Sequence, residues 1–436
     1  VSAYNLVSLM GIFALAGFAW LCSSDRKIVN WRVLAWGIGL QALFAVFIFV
    51  VPAGGAVFLW VNKAVVAVLD SATAGTKFVF GRLALPPGAV NESGETSLGY
   101  FLAFQGLPTI IFFAALLSAL YYLRIMPLVV RVFARIFTRL MRISGAEALS
   151  VSSNIFVGVE SALVVKPHLG DMTESELGTI LTAGMGTIAS TVLAMYVLML
   201  QAEIPTIAGH LVSASFISAP ACVVMAKLIM PETGRPLTLG EDVAPHYDRP
   251  DNLIMAVIAG AGDGLKLLGG IITLLIAFLG ILALLNLGLG WAGGLLNGLF
   301  GWHVSWSLES LLGYVFYPFT LVLGVPPADA LQVARVIGER TVTTEVVSYG
   351  HLARLLAEGS LRDPRSAIIA SYALCGFAHV ASLAIFVGGV AAIVPARMRD
   401  LSRLGFRALL AATLACLMTG AVAGTFYTGS SLLFGP

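Results

Sequence analysis

Two glutamates lie past the middle of apolar stretches that glycine, serine and threonine interrupt. Glu160 lies in AEALSVSSNIFVGVESALVVKPHL, from Ala146 to Leu169, and Glu345 in ADALQVARVIGERTVTTEVVSYGHL, from Ala328 to Leu352. Both stretches begin Ala-acid-Ala-Leu and both end His-Leu. A carboxylate at membrane depth costs about 2.5–3.5 kcal/mol on insertion scales, so it takes a partner, a ligand or water. Gly158 precedes Glu160, and Thr341, Thr343 and Thr344 precede Glu345. These residues let the backbone leave the helical ladder or satisfy the groups that it frees. A broken helix presents bare N–H and C=O termini to a polar solute or a cation. The plainer reading pairs each glutamate with a nearby base, Lys166 or Arg340, for structure alone. The repeated placement favours two half-helix pairs that meet at one transport site.

The elements that must position these groups are membrane helices. The chain is 58% hydrophobic and only 11% charged, against roughly 25% charged residues in soluble domains. A net charge of +2 gives no footprint for nucleic acid. Cys22, Cys222, Cys375 and Cys416 lie in or beside apolar runs without metal spacing and read as free thiols. The first 22 residues lack a basic leading segment and are soon followed by a second span, so they read as a retained helix and not a signal peptide.

Eight spans are expected, at about 5–22, 32–51, 100–122, 174–200, 206–229, 252–288, 366–395 and 404–428. The apolar stretch 56–79 carries Lys63, Asp70 and Lys77 and reads as an interfacial helix. So does 124–142, where Arg124, Arg131, Arg135, Arg139 and Arg142 recur among bulky apolar residues. The expected fold is an all-α polytopic membrane protein with eight transmembrane helices, two opposed re-entrant helical hairpins and interfacial helices. Residues 1–99 form an N-terminal scaffold of two helices and an interfacial helix. A five-element unit over 100–229, with a first hairpin at about 146–169, repeats over 252–428, with a second hairpin at about 328–352. Arg26, Lys27 and Arg32, the arginines of 124–142, and Arg397, Arg399, Arg403 and Arg407 all belong on the cytoplasmic side by the charge rule. Both termini are then periplasmic or extracellular, and the two units enter the membrane from opposite faces. That inverted repeat is the arrangement of an alternating-access carrier.

At this point the motifs resemble a family, the concentrative nucleoside transporters, over about residues 90–430. Asn154, Gly158, Val159, Glu160, Ser161 and Ala162, followed by Lys166-Pro167-His168-Leu169, match its first-hairpin motif with one residue missing and Val159 in place of a glutamine. Gly338, Arg340, Thr344, Glu345, Val346, Val347, Ser348 and Tyr349 match the second without a gap. Ser371 to Ser382 match a later phrase, with His379 where asparagine is usual, and so does Asp-Gly-Leu-Lys at 263–266.

The resemblance implies a cation-coupled importer of nucleosides in a bacterial inner membrane, working as a homotrimer by an elevator-like alternation of access. It places Val159 and Glu160 at the base, and Thr344, Glu345, His379 and Ser382 at the sugar, with Phe377 packed on the ligand. It places a cation at Asn154, the Val157 carbonyl, Thr187 and Ile188, where the ligands are oxygens, as a hard cation requires. Na+ and H+ both stand as coupling ions, because neutral His379 donates and accepts and titrates near pH ~6–7. No further cofactor is expected. Val159 cannot hydrogen-bond a base, which leaves a modified nucleoside, a nucleobase or another polar solute as alternative cargo. No HExxH, GxSxG or phosphate loop supports an enzyme. A channel fits less well than a carrier with closed hairpins and a midplane carboxylate pair.

Overall fold

The computed structural model describes residues 2–86, 88–91, 94–302 and 304–429 of the 436, and the Val159 side chain also lies outside what it describes. The described residues are almost wholly helical, with two isolated β-bridges. In chain order the helices are α1 (Ala3–Leu21), α2 (Trp31–Ala45, continued by a π turn Val46–Val50), α3 (Pro52–Phe80), α4 (Leu102–Gln105), α5 (Thr109–Tyr122) and α6 (Ile125–Met141). Then come α7 (Gly145–Ser153), a 3₁₀ segment Val159–His168, α8 (Glu174–Gly186), α9 (Ser190–Leu200), α10 (Ile207–Ile229) and α11 (Leu253–Phe300). The last six are α12 (Leu308–Val322), α13 (Pro327–Val342), α14 (Glu345–Ala357), α15 (Pro364–Ala373), α16 (Val380–Ile393) and α17 (Met398–Phe426).

Among the described residues, eight helical stretches are long and apolar enough to cross a membrane. Seven coincide with the expected spans. The eighth is the 33-residue stretch Pro52–Ala84, because four charges over that length leave its mean hydropathy high. Residues 366–395, expected as one span, are instead α15 and α16 with a break between them. The span at 174–200 is likewise α8 and α9, broken at 187–189. The helix expected to end near 288 runs to Phe300. The glycines at its far end do not stop it, and Gly301, in the left-handed region at φ 68°, ends it.

The two breaks meet. Gly376 has φ 150°, and a Cβ on it would lie 2.6 Å from Cys416 Sγ and 2.9 Å from the carbonyl carbon of Gly186. Glycine at both positions lets the broken helices cross at backbone contact, with α17 packed behind them. Arginines flank the amphipathic α6 at positive φ (Arg124 62°, Arg142 52°), which turns it sharply at both ends. On the other side of the molecule α11 lies on α5. Gly260 and Gly264 bring the backbones together, since a Cβ at Gly260 would sit 2.7 Å from the Ala114 carbonyl oxygen. The buried core centres on α8, α10, α15 and α17.

Candidate functional site

Three helices start at one cavity. Ala189 precedes α9, Thr344 precedes α14, and His379 precedes α16. The first N–H groups of a helix have no backbone partner within it, so three helix starts with their positive dipole ends gather at a common space. No side chain caps α9 or α14. The cavity, of about 80 Å³, is lined by Gly158, Glu160, Ala189, Thr191, Thr344, Glu345, Phe377, His379 and Ser382, with Leu267 and Ile271 of α11 closing it. Of the substrate-site residues expected from the sequence, Glu160, Thr344, Glu345, Phe377, His379 and Ser382 all line this one space. Val159 also belongs to that set, and its side chain lies outside the described residues.

Glu345 is the first residue of α14 and is 3% exposed. Its Oε1 accepts from the Tyr196 hydroxyl at 2.7 Å. Its Oε2 lies 2.9 Å from His379 Nε2. That contact is within ion-pair distance but off the line of a directed hydrogen bond, so Oε2 remains buried without a donor. Thr344 Oγ1 is also buried without a partner. Buried polar atoms are normally satisfied, and two adjacent exceptions that line one cavity point to a ligand.

His379 is held by its own helix. Its Nδ1 accepts the Ser382 N–H at 3.1 Å, and the Ser382 hydroxyl donates to the His379 carbonyl at 2.7 Å. Nδ1 therefore carries no proton and Nε2–H faces Glu345. Protonating Nδ1 would set two donors against each other and cost the α16 cap. Glu160 is exposed to the cavity, and no described basic side chain pairs with it. Lys166 is exposed, and Arg340, wholly buried, donates from Nη1 to the Ala373 carbonyl at 2.6 Å. Neither forms the structural ion pair weighed above.

The expected cation ligands also converge. The Thr187 hydroxyl donates to the Asn154 carbonyl at 3.0 Å and to that of Ala183 at 2.9 Å. The Ser190 N–H reaches the Phe156 carbonyl at 3.1 Å, tying the α8–α9 break to the first broken segment. Asn154 Nδ2 donates back to Ser150, which leaves Oδ1 buried without a partner. A free buried amide oxygen beside backbone carbonyls fits a small hard cation. Among the described residues no group of three His, Cys, Asp or Glu is placed to hold a metal.

Several groups escaped the sequence reading. Tyr196 sits in an unbroken apolar run and carries no motif. A buried cluster at the base of the first segment joins Lys227 to Glu147 at 2.7 Å, Ser175 at 3.0 Å and Glu232 at 3.5 Å. Apart from Lys227 and Glu232 its members are far apart in sequence, and only the count of charges in apolar helices could have flagged them. Asp263 and Lys266 pair at 2.9 Å, and the four cysteines are free thiols as expected, three of them buried. His351 pairs with Glu339 at 2.8 Å.

Known proteins share this sequence and architecture. Residues 10–83 match the Na+ dependent nucleoside transporter N-terminus, 103–203 a nucleoside recognition gate, and 210–424 the Na+ dependent nucleoside transporter C-terminus. An uncharacterized transporter of Bacillus subtilis (strain 168), YutK, is 39% identical over 97% of this chain and 99% of its own. Solute carrier family 28 member 3 of Mus musculus is 37% identical over 96% of this chain; the chain spans 58% of that relative's length, and 60% of its Homo sapiens counterpart. The structure of CNTnw in an inward-facing substrate-bound state superposes with TM-score 0.85 at 34% identity, covering 97% of this chain and 98% of that one. A CNTnw variant in an outward-facing state gives TM-score 0.86 at 32% identity, covering 98% of each chain. The chain belongs to the Na+ dependent nucleoside transporter family, whose members are multi-pass membrane transporters and not enzymes.

Proposed function

We propose that this chain imports nucleosides by alternating access, driven by a Na+ gradient. One observation carries the reading: in the cavity wall, buried Thr344 Oγ1 has no partner, and the adjacent buried Glu345 Oε2 has only the off-line His379 Nε2 contact, with no directed hydrogen bond. An ionised carboxylate only accepts, so the group it takes must bring donors. The adjacent hydroxyls of a ribose do so, with Phe377 supplying an apolar face and Glu160 an acceptor across the cavity for an amino or imino group of the base. Bound Na+ would be held by Asn154 Oδ1 with the Val157 carbonyl, Thr187 and Ile188, supplying positive charge that fixes the first broken segment against the α8–α9 break. His379 caps α16 through Nδ1, which favours Na+ over a proton carried on that ring.

The reading extends to organisation. Residues 1–99 form a scaffold, and 100–229 and 252–428 form the two inverted units. Their hairpins, at about 146–169 and 328–352, move with α8, α9, α15 and α16. The assembly is a homotrimer in a bacterial inner membrane with both termini outside, as the basic loops imply.

Uptake of tritiated uridine and adenosine into proteoliposomes tests this. An inward Na+ gradient should drive accumulation, and an inward H+ gradient alone should not. Accumulation under neither gradient, with no nucleoside shifting thermal stability, would remove the function and leave the fold. A nucleobase panel run beside it separates the alternative cargo.

A further inference from the structure

A second, larger cavity adjoins the site on the far side of Glu160. It encloses about 310 Å³ between α5, α11, the first broken segment and the loop 243–250. That is within the size range of small-molecule sites, whereas 80 Å³ is below it. Gly158, Glu160 and Thr191 belong to both walls, so one carboxylate serves two spaces.

The larger cavity is built from groups suited to a flat, donor-bearing ring. Tyr121 and Tyr247 lie along it, their ring centroids 5.7 Å apart at 33°. The Tyr247 hydroxyl is buried and has no hydrogen-bond partner. Tyr121 is oriented by Ser153, whose hydroxyl lies 3.2 Å from its own. Asp248 and Asp263 place further acceptors on the walls, each through the oxygen not engaged by its neighbour, since Oδ1 of Asp263 pairs with Lys266 at 2.9 Å and Oδ1 of Asp248 lies 3.4 Å from His246. The loop is anchored on both sides. The His246 N–H donates to the Val164 carbonyl of the first segment at 2.9 Å, and the Arg249 guanidinium lies 4.5 Å over the Tyr122 ring. Gly260 and Gly264 bring α11 close enough to α5 to present Asp263 here.

We propose that this cavity is a second nucleoside station, in which the base stacks on Tyr247 and Tyr121 while its donors meet Glu160 and Asp263. The proposal rests on the nucleoside reading above. Glu160 hands the ligand between the two spaces, because its carboxylate accepts a hydrogen bond in either. The loop that forms the outer wall also carries Asp242, which bonds Arg135 of the basic α6. The station therefore lies toward the face that the basic residues assign to the cytoplasm, on the way out. Stacking without a fixed hydrogen-bond code tolerates purines and pyrimidines alike.

Photo-crosslinking of the full chain in Na+ buffer, with 4-thiouridine and with 8-azidoadenosine, tests it. Label should appear on the peptide that contains Tyr247, and unlabelled uridine should compete it away. The label should persist in Glu345→Gln, which disables only the first site, and fall at least tenfold in Tyr247→Ala. Tyr247→Ala should keep first-site affinity within about twofold while uptake turnover drops severalfold, and an unchanged melting temperature shows that it folds. Tyr247→Phe keeps the ring and should retain most of the label. Label confined to the hairpins, or lost from the Tyr247 peptide in Glu345→Gln, overturns the station and leaves the transport reading standing. A wild-type protein that no nucleoside stabilises overturns both.

Discussion

Glu345→Gln is nearly isosteric, and the structure says why it should fail. The carboxylate presents two acceptors, one to Tyr196 and one toward His379 and the cavity. A glutamine presents one acceptor and one donor group. If its oxygen keeps Tyr196, its amide NH2 faces Nε2–H of His379, a donor against a donor. His379 cannot change tautomer to escape, because Nδ1 is occupied by the Ser382 N–H. If the amide turns over, Tyr196 loses its acceptor, and one neutral oxygen serves both His379 and the ligand. Losing a charge-assisted hydrogen bond to a ligand hydroxyl costs about 1.5–3 kcal/mol, and a buried donor left unpaired costs about 1–3 kcal/mol more. Together these raise Kd by about two to four orders of magnitude, at about 1.4 kcal/mol for each tenfold. Titration calorimetry with uridine and adenosine in Na+ buffer measures it, beside a thermal melt that confirms folding. A folded Gln variant with Kd within about threefold of wild type would remove Glu345 from the ligand. Tyr196→Phe is the graded control: the charge stays, one bond to Oε1 is lost, and affinity should fall only about fivefold, for about 1 kcal/mol.

Asn154→Ala removes the free Oδ1 and should raise the Na+ concentration for half-maximal stabilisation on the order of tenfold; a Na+ titration of melting temperature reads it. Lys227→Met strands the buried Glu147 and should cost about 3–5 kcal/mol, while adding Glu147→Leu should recover much of it; detergent melts of the single and double variants check this. Gly376→Ala forces a Cβ to within 2.6 Å of Cys416 Sγ and 2.9 Å of Gly186, and should cost about 1–3 kcal/mol by overpacking, seen as a lower melting temperature. Asp242 bonds Arg135 at 2.8 Å, and this hydrogen bond holds its carboxyl below the usual range. The contact between the loop and α6 then contributes above the ordinary carboxylate pKa and is lost as pH falls through the lowered one. Hydrogen exchange of the loop should rise only in strong acid, and Asp242→Asn should remove that dependence.

The sequence was readable where chemistry conflicted with environment. Glu160 and Glu345 stood out because charge in an apolar run has few structural excuses, and the residues grouped around them do line one cavity. The helices were legible from apolar length alone. The break within 366–395 was not visible from hydropathy, because every residue from Leu374 to Ala378 suits a membrane helix by polarity. What opens the chain there is the left-handed backbone of Gly376 and its contact with Gly186, and both depend on tertiary packing. Helix α3 shows the limit of hydropathy: its 29 residues are long and apolar enough to cross a membrane, and composition alone does not separate such a span from an interfacial helix. Tyr196 meets Glu345, and Lys227 meets Glu147, across 80 or more residues of sequence, and no local pattern carries that information.

The two proposed sites are mechanically one object. Thr187 binds the Asn154 carbonyl, and Ser190, three residues on, binds the Phe156 carbonyl. Between and just beyond them, Ala189 and Thr191 line the substrate cavity. A cation held at Asn154 and Thr187 therefore fixes the backbone that forms one wall of the nucleoside pocket. The opposite wall is fixed by Glu345 and His379, which lie in contact with each other. A ligand hydroxyl must enter between them, and it can do so at low cost only against a wall that is already ordered. On the proposed reading, cation binding would supply that order in advance, so the ordering entropy would not be charged to the ligand. Linkage then requires the reverse effect: a bound nucleoside must raise the affinity for the cation by the same factor. A carrier built this way closes around both or neither, and that separates coupled transport from a leak.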